Sequence, residues 1–238
     1  MILGLPRIFG TMILLYFAQR GVAYHMGLFD TRAASGALTR NEWVTVLGWL
    51  DLAIIEVGRF FAIRYLMLGE ARAALQPSIT VALRYLPYFA YTLSMLAVIF
   101  YADRIVADAW AGTLRAATGM AILAIEPLLM PWAVSAATDG PIRHPGQSVW
   151  MVGRWYTWAL ALFFLGRLPI MALHDDLSGW PGGQEPWIAW AGLAAESVTV
   201  GLMATIIPAL SVRIVAQLGT GRRADRRAAV ARPAVATH

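Results

Sequence analysis

Apolar residues occupy the chain in six long stretches, separated by short segments rich in Gly, Pro and charge. A helix crosses the hydrocarbon of a bilayer with roughly 20 residues. Each stretch is therefore read as a spanning helix: 7–29, 43–69, 78–102, 109–137, 148–173 and 187–218. Between them lie a polar loop at 30–42 containing Ser35-Gly36, a turn at 70–76 and a short acidic connection with Asp103, Arg104 and Asp108. Asp139-Gly140-Pro141 and His144-Pro145-Gly146 mark a tight loop, and 174–186 is a Gly/Pro-rich loop carrying Asp175, Asp176 and Glu185. Pro77 fits the first turn of the third helix. Pro127, directly after Glu126, and Pro131 predict a local break in the fourth.

The second stretch, Trp43 to Gly69, carries Asp51, Glu56 and Arg59 in its middle. Each such charge costs about 2.5–3.5 kcal/mol at the centre of a membrane helix, and a large aliphatic residue returns only about 0.3–0.6. That helix is reasonable only inside a bundle that supplies partners. Glu56 and Arg59 stand three apart on one face and begin the neutralisation. Arg20, Glu126, Arg167 and Glu196 interrupt the other apolar stretches. Their depths along the helices predict the pairs Arg20–Asp51, Arg59–Glu126 and Arg167–Glu196. Such groups either staple helices together or line a polar path for a proton, an ion or a headgroup.

Composition agrees with a membrane setting. Of 238 residues, 59% are hydrophobic and 14% charged, against about 25% charged in an ordinary soluble domain. No ten-residue alternation suggests an outer-membrane barrel. The first stretch does not read as a cleaved signal peptide, since Phe17-Ala18-Gln19-Arg20 is no small-residue cleavage site. The fold expected is an all-α polytopic membrane helix bundle: 1–218 form one six-helix transmembrane domain, and 219–238 a basic, disordered cytoplasmic tail.

Charge gives the orientation. Arg64, Arg72 and Arg84 flank the second connection, Arg143 and Arg154 the fourth, and Arg222, Arg223, Arg226, Arg227 and Arg232 fill the tail. The first connection balances Asp30 and Glu42 against Arg32 and Arg40, and the third and fifth are acidic. Basic and acidic sides alternate, so both termini are placed in the cytoplasm. Trp43, Trp110, Trp187 and Trp190 then belong to the outer interface, and Trp132 and Trp150 to the inner one. Arginine-only basic usage with abundant alanine suits a bacterial inner-membrane protein. The basic excess serves orientation and lipid contact, not nucleic acid.

Little catalytic chemistry is visible. With no cysteine and no lysine, thiolate, Cys-metal and lysine Schiff-base chemistry are excluded. There is no nucleophile elbow and no phosphate-cradling glycine loop. His25 and His174 sit near Asp30, Asp175, Asp176 and Glu185 without a zinc-type spacing, so no metal or haem is assigned and no cofactor is expected. The partners expected are membrane lipids, together with further copies of the chain or subunits of a membrane assembly.

Two stretches resemble known families. Gly140-Pro141, followed by Arg143-His144-Pro145 before a helix, looks like the element of isoprenylcysteine and phospholipid N-methyltransferases. That resemblance implies S-adenosylmethionine used at a site formed by the Arg143-His144-Pro145 loop. The family's tyrosine two residues on is Gln147 here, and its later glutamate and aromatic stretch are missing. The second resemblance covers about residues 60–215. It rests on Leu68-Gly69-Glu70 with Arg72, on Ala82-Leu83-Arg84-Tyr85-Leu86-Pro87, and on Ala137, then Asp139-Gly140-Pro141-Ile142, then Gln147-Ser148. These are similar to the glycerophosphoryl diester phosphodiesterase membrane domain and its free-standing six-helix relatives. It implies an inner-membrane protein of lipid, small-solute or envelope homeostasis without recognisable catalytic machinery. That is the leading reading, with the methyltransferase as its alternative.

Overall fold

The computed structural model describes residues 4–27, 29 and 42–231, with side chains described at 4–27, 29 and 46–219. The loop containing Arg32, Ser35-Gly36 and Arg40, the Trp43 side chain and the arginine side chains of the tail lie outside the described residues.

The described residues are all-α. In order they form α1 (Pro6–His25), α2 (Glu42–Leu68), α3 (Ala71–Leu75), α4 (Ile79–Phe100), α5 (Ala102–Ile105), α6 (Asp108–Thr138), α7 (Pro145–Val152), a 3-10 turn (Gly153–Trp155), α8 (Tyr156–Gly179) and α9 (Pro186–Ala231). Among the described residues, four segments are long and apolar enough to cross a membrane: Ile79–Phe100, Asp108–Thr138, Pro145–Gly179 and Pro186–Gly219. Helices α1 and α2 are not among them. Their polar residues explain this: Arg7, Gln19 and Arg20 in α1, and Asp51, Glu56, Arg59 and Arg64 in α2.

Local chemistry sets the helix ends. Pro6, Pro145 and Pro186 open their helices, where a missing N–H costs nothing. Ser78 caps α4, its hydroxyl accepting from the Val81 N–H at 3.3 Å. Pro77 therefore precedes the cap instead of sitting in the first turn. Asp139 ends α6 in the left-handed region at φ 56°, and the Gly140 N–H returns to the Ser135 carbonyl at 2.8 Å. A Cβ on Gly140 would lie 2.6 Å from Ser135 Oγ and 3.0 Å from its Cα, so the turn admits only glycine. Helix α8 runs past Leu173 to Gly179, because residues 174–178 contain neither Gly nor Pro. His174, Asp175 and Asp176 thus ride its last turns, not a loop. Helix α9 includes 219–231 as helix.

Three helices form an inner triangle: α2, α6 and α9 all touch one another. The other three long helices fill its outer grooves. α1 lies against α2 and α9, α4 against α2 and α6, and α8 against α6 and α9. Each groove has its own apolar core. Phe9 and Met12 meet Ala62 and Ala204 in the first. Tyr85 and Tyr88 meet Phe60, Ile63 and Trp132 in the second. Ala159 and Phe163 meet Met130 and Ile214 in the third. Trp132 is thus a core residue against the Tyr88 ring, 5.7 Å between centroids, and not an interfacial one. Trp110, Trp150 and Trp187 are strongly exposed near helix ends, and Trp190 packs among Phe17, Tyr24 and His25.

The predicted break in α6 is bridged. Pro131 has no N–H, and the next turn is held by a side chain from α7. Ser148 Oγ donates to the Leu128 carbonyl at 2.6 Å and accepts from the Trp132 N–H at 3.1 Å. The hydroxyl thus inserts into the ladder position that joins residues 132 and 128, and α6 continues through both prolines.

Candidate functional site

Apart from Arg64, the buried ionisable groups among the described residues fall into two clusters at different heights in the bundle. The deeper one joins the inner helices. Glu56, Arg59 and Glu126 are each 4% exposed. Arg59 Nη2 lies 2.5 Å from Glu126 Oε1, a close ion pair. Arg167 Nη1, from the outer helix α8, donates to Glu126 Oε2 at 3.0 Å. Glu56 is only loosely held, its Oε1 3.7 Å from Arg59 Nη1. The Arg59 guanidinium also sits 5.1 Å from the centroid of the Tyr88 ring. The expected Arg59–Glu126 pair is present. Arg167 reaches Glu126, however, and not Glu196, because α8 packs against α6 as well as α9.

The second cluster lies toward the opposite helix ends. Glu196 on α9 is fully buried. Its Oε2 accepts from Arg20 Nε at 2.8 Å, and its Oε1 accepts from the Tyr16 hydroxyl at 2.9 Å. Arg20 Nη2 donates to the Ser178 carbonyl at 2.8 Å, and its guanidinium lies 4.6 Å from the Phe29 ring centroid. Arg20 therefore pairs with Glu196 and not with Asp51. Asp51 is met by Gln19. With its amide nitrogen toward Asp51, Gln19 donates to that carboxylate and accepts from the Gly48 N–H at 3.1 Å. The neutral amide takes the place that depth alone gave to arginine.

Beside this cluster is a cavity of about 510 Å³. Its wall includes Tyr16, Gln19 and Arg20 of α1, and Gly48, Trp49 and Asp51 of α2. Tyr101 after α4, Arg115 of α6, His174 of α8 and Glu196 of α9 complete it. All six long helices contribute, three by their C-terminal ends and three by their N-terminal parts. Their directions consequently alternate, and the chain runs the length of the bundle six times. Leu5 packs near Ala71 and Leu218 near Val152, so both lie at the end away from the cavity.

The cavity wall holds two arginines, two carboxylates and His174. Arg115 Nη2 lies 3.3 Å from Asp103 Oδ1, and its Nε donates to the Ile99 carbonyl at 3.1 Å. Trp49 and Tyr101 stack with centroids 5.8 Å apart, the indole N–H donating to the phenol oxygen. His174 Nδ1 is buried without a hydrogen-bond partner among the described residues, 3.8 Å from Glu196 Oε1. Apolar walls, a few convergent polar groups and this volume suit a small ligand. Sequence reasoning did not bring Tyr16, Gln19, Arg115 and His174 to this site. The one available signal was their polarity within or beside apolar stretches. His25 takes another place, 5.5 Å from the Trp190 ring by centroids.

The motifs that carried the two resemblances gather at the other end. Arg84 donates to the Asp139 carboxylate and to the Gly140 carbonyl, the latter at 2.9 Å. Ser135 Oγ accepts from the Ile142 N–H at 2.8 Å. Arg64 donates to the carbonyls of Ala73, Ala74 and Ala137 at 2.7, 2.8 and 2.8 Å. These bonds satisfy helix-end carbonyls and fix the loop. Arg143 and His144 are exposed and line neither the cavity nor the crevice between α2 and α4. Gln147 Oε1 accepts from the Arg143 N–H at 2.7 Å. Compared with protein-family models, curated proteins and solved structures, the chain gives no match.

Proposed function

We propose that the chain is a six-span protein of a bacterial inner membrane, with both termini cytoplasmic, and that its outward-facing cavity binds a small amphipathic solute or lipid headgroup. The observation that carries this is the 510 Å³ cavity whose wall draws on all six long helices. Membrane crossing by α1 and α2 follows from charge compensation. Arg20, Asp51, Glu56 and Arg59 each meet a polar or charged partner inside the bundle, which removes the main penalty against their insertion.

The ligand class follows from the wall. Two carboxylates and two arginines oppose one another, so a single-sign ion gains little, whereas a molecule carrying both signs or several hydrogen-bonding groups is matched. The Trp49–Tyr101 pair and the aliphatic wall suit its apolar part. This is binding or carriage without a chemical step, in keeping with the likeness to the phosphodiesterase membrane domain in the loops around Arg84 and Asp139.

Native mass spectrometry of the protein released from mild detergent tests this, with Gly48→Leu as the comparison. A Cβ on Gly48 meets only Gln19 at 3.5 Å, an ordinary contact, and Gly48 lines the cavity, so a leucine side chain there takes up cavity space. Wild-type protein should carry an amphipathic species that the variant lacks. Wild type and variant showing the same bound species, or none, would refute cavity binding.

A further inference from the structure

Glu56 stands apart from the other buried carboxylates. Glu126 takes both Arg59 and Arg167, at 2.5 and 3.0 Å, and Glu196 takes Arg20 and Tyr16. Glu56 keeps one contact at 3.7 Å, and its Oε2 is buried with no partner among the described residues. It also lines a crevice of about 220 Å³ between α2 and α4, with Val57, Phe60, Ala82, Tyr85, Leu86 and Phe89. Val57 and Leu86 at the rim are exposed on the bundle surface, the surface that faces acyl chains in a six-span bundle.

Two charge states of Glu56 have opposed costs. Ionised, it balances Arg59, Arg167 and Glu126 to zero, but it leaves an unpartnered anionic oxygen against an apolar crevice. Protonated, it removes that anion and leaves the three remaining groups with one excess positive charge. Around it stand Arg59 on its own helix, Glu126 on α6, Arg167 on α8, and Tyr85 and Tyr88 on α4. Each state thus leaves one cost unmet, and taking up or releasing a proton at Glu56 is what exchanges the one for the other. A metal cation is disfavoured, since sodium- or magnesium-type ions need several oxygen ligands and the rest of the crevice wall is aliphatic and aromatic. We propose that Glu56 is a proton-binding site reached from the lipid side through the crevice between α2 and α4.

A hydrophobic carbodiimide reads this directly on the full-length protein in proteoliposomes. The protonated carboxyl adds across the C=N bond of dicyclohexylcarbodiimide, its proton passing to nitrogen and its oxygen to carbon. The O-acylisourea then rearranges to an N-acylurea with no leaving group, so the peptide gains the mass of one intact reagent. Peptide mass spectrometry should place the adduct on Glu56 and not on Glu126 or Glu196. Its rate should fall about tenfold per pH unit above the midpoint of the site. A water-soluble carbodiimide should leave Glu56 unlabelled. Absence of the adduct on Glu56 in folded wild-type protein, equal labelling of Glu126, or a rate unchanged with pH would each overturn the proposal.

Discussion

Arg20 and Glu196 meet at 2.8 Å although 176 positions separate them in the chain. The pair ties the first helix to the last, and Tyr16 adds a second bond to the same carboxylate. Removing one partner leaves an uncompensated charge inside the bundle, which costs about 3–5 kcal/mol. Arg20→Leu and Glu196→Leu should therefore each lower the melting transition of the solubilised protein sharply, and the double variant should recover much of the loss. Recovery by Arg20→Leu with Asp51→Leu instead would contradict the pairing.

Ser148 is predicted to hold α6 together at its proline. Ser148→Ala removes the hydroxyl that bonds both the buried Trp132 N–H and the partly buried Leu128 carbonyl. Each unsatisfied group costs about 1–3 kcal/mol, and the thermal transition followed by size-exclusion chromatography should fall accordingly. An unchanged transition would mean that the hydroxyl is dispensable to the helix.

Arg64 contacts three carbonyls through three nitrogens. An ammonium on a single point cannot reproduce that spread. Arg64→Lys should thus destabilise the bundle nearly as much as Arg64→Met, measured by the same transition. A lysine that restores wild-type behaviour would argue for charge alone.

Gly48→Leu separates stability from binding. Glycine inside a helix costs about 1 kcal/mol relative to good helix formers, and the leucine fills empty space. The variant should melt at or above the wild-type temperature in lipid-free detergent while losing the cavity ligand. Destabilisation with the ligand retained would place the bound species elsewhere.

Helix positions and the presence of partners for the buried charges were legible in the sequence, because hydropathy and length act locally. The identity of the partners was legible only in part. Depth along a helix is a single coordinate, and it placed Arg20 level with Asp51. It does not say that α1 lies in the groove between α2 and α9, where Glu196 offers a full charge and Gln19 is left for Asp51. Arg59–Glu126 was accessible because the inner helices α2 and α6 meet at that depth. Trp132 and His174 were misplaced for a related reason. Distance from a predicted helix end suggested an interface and a loop, whereas packing against Tyr88 and the continuation of α8 to Gly179 put one in the core and the other at the cavity. The cavity itself depends on six helix ends converging, which no single stretch of sequence encodes.

Six membrane crossings with the cavity end facing out, as proposed, fix which loops are reached from which side. The sequence has no cysteine, so single-cysteine variants report cleanly on sidedness. Gln184 lies between α8 and α9 at the cavity end, Gln76 lies between α3 and α4 at the opposite end, and both are exposed. In intact cells stripped of their outer membrane, a membrane-impermeant maleimide should label Gln184→Cys at once and Gln76→Cys only after the inner membrane is opened. Labelling of both from the same side, or in the reverse order, would contradict the account.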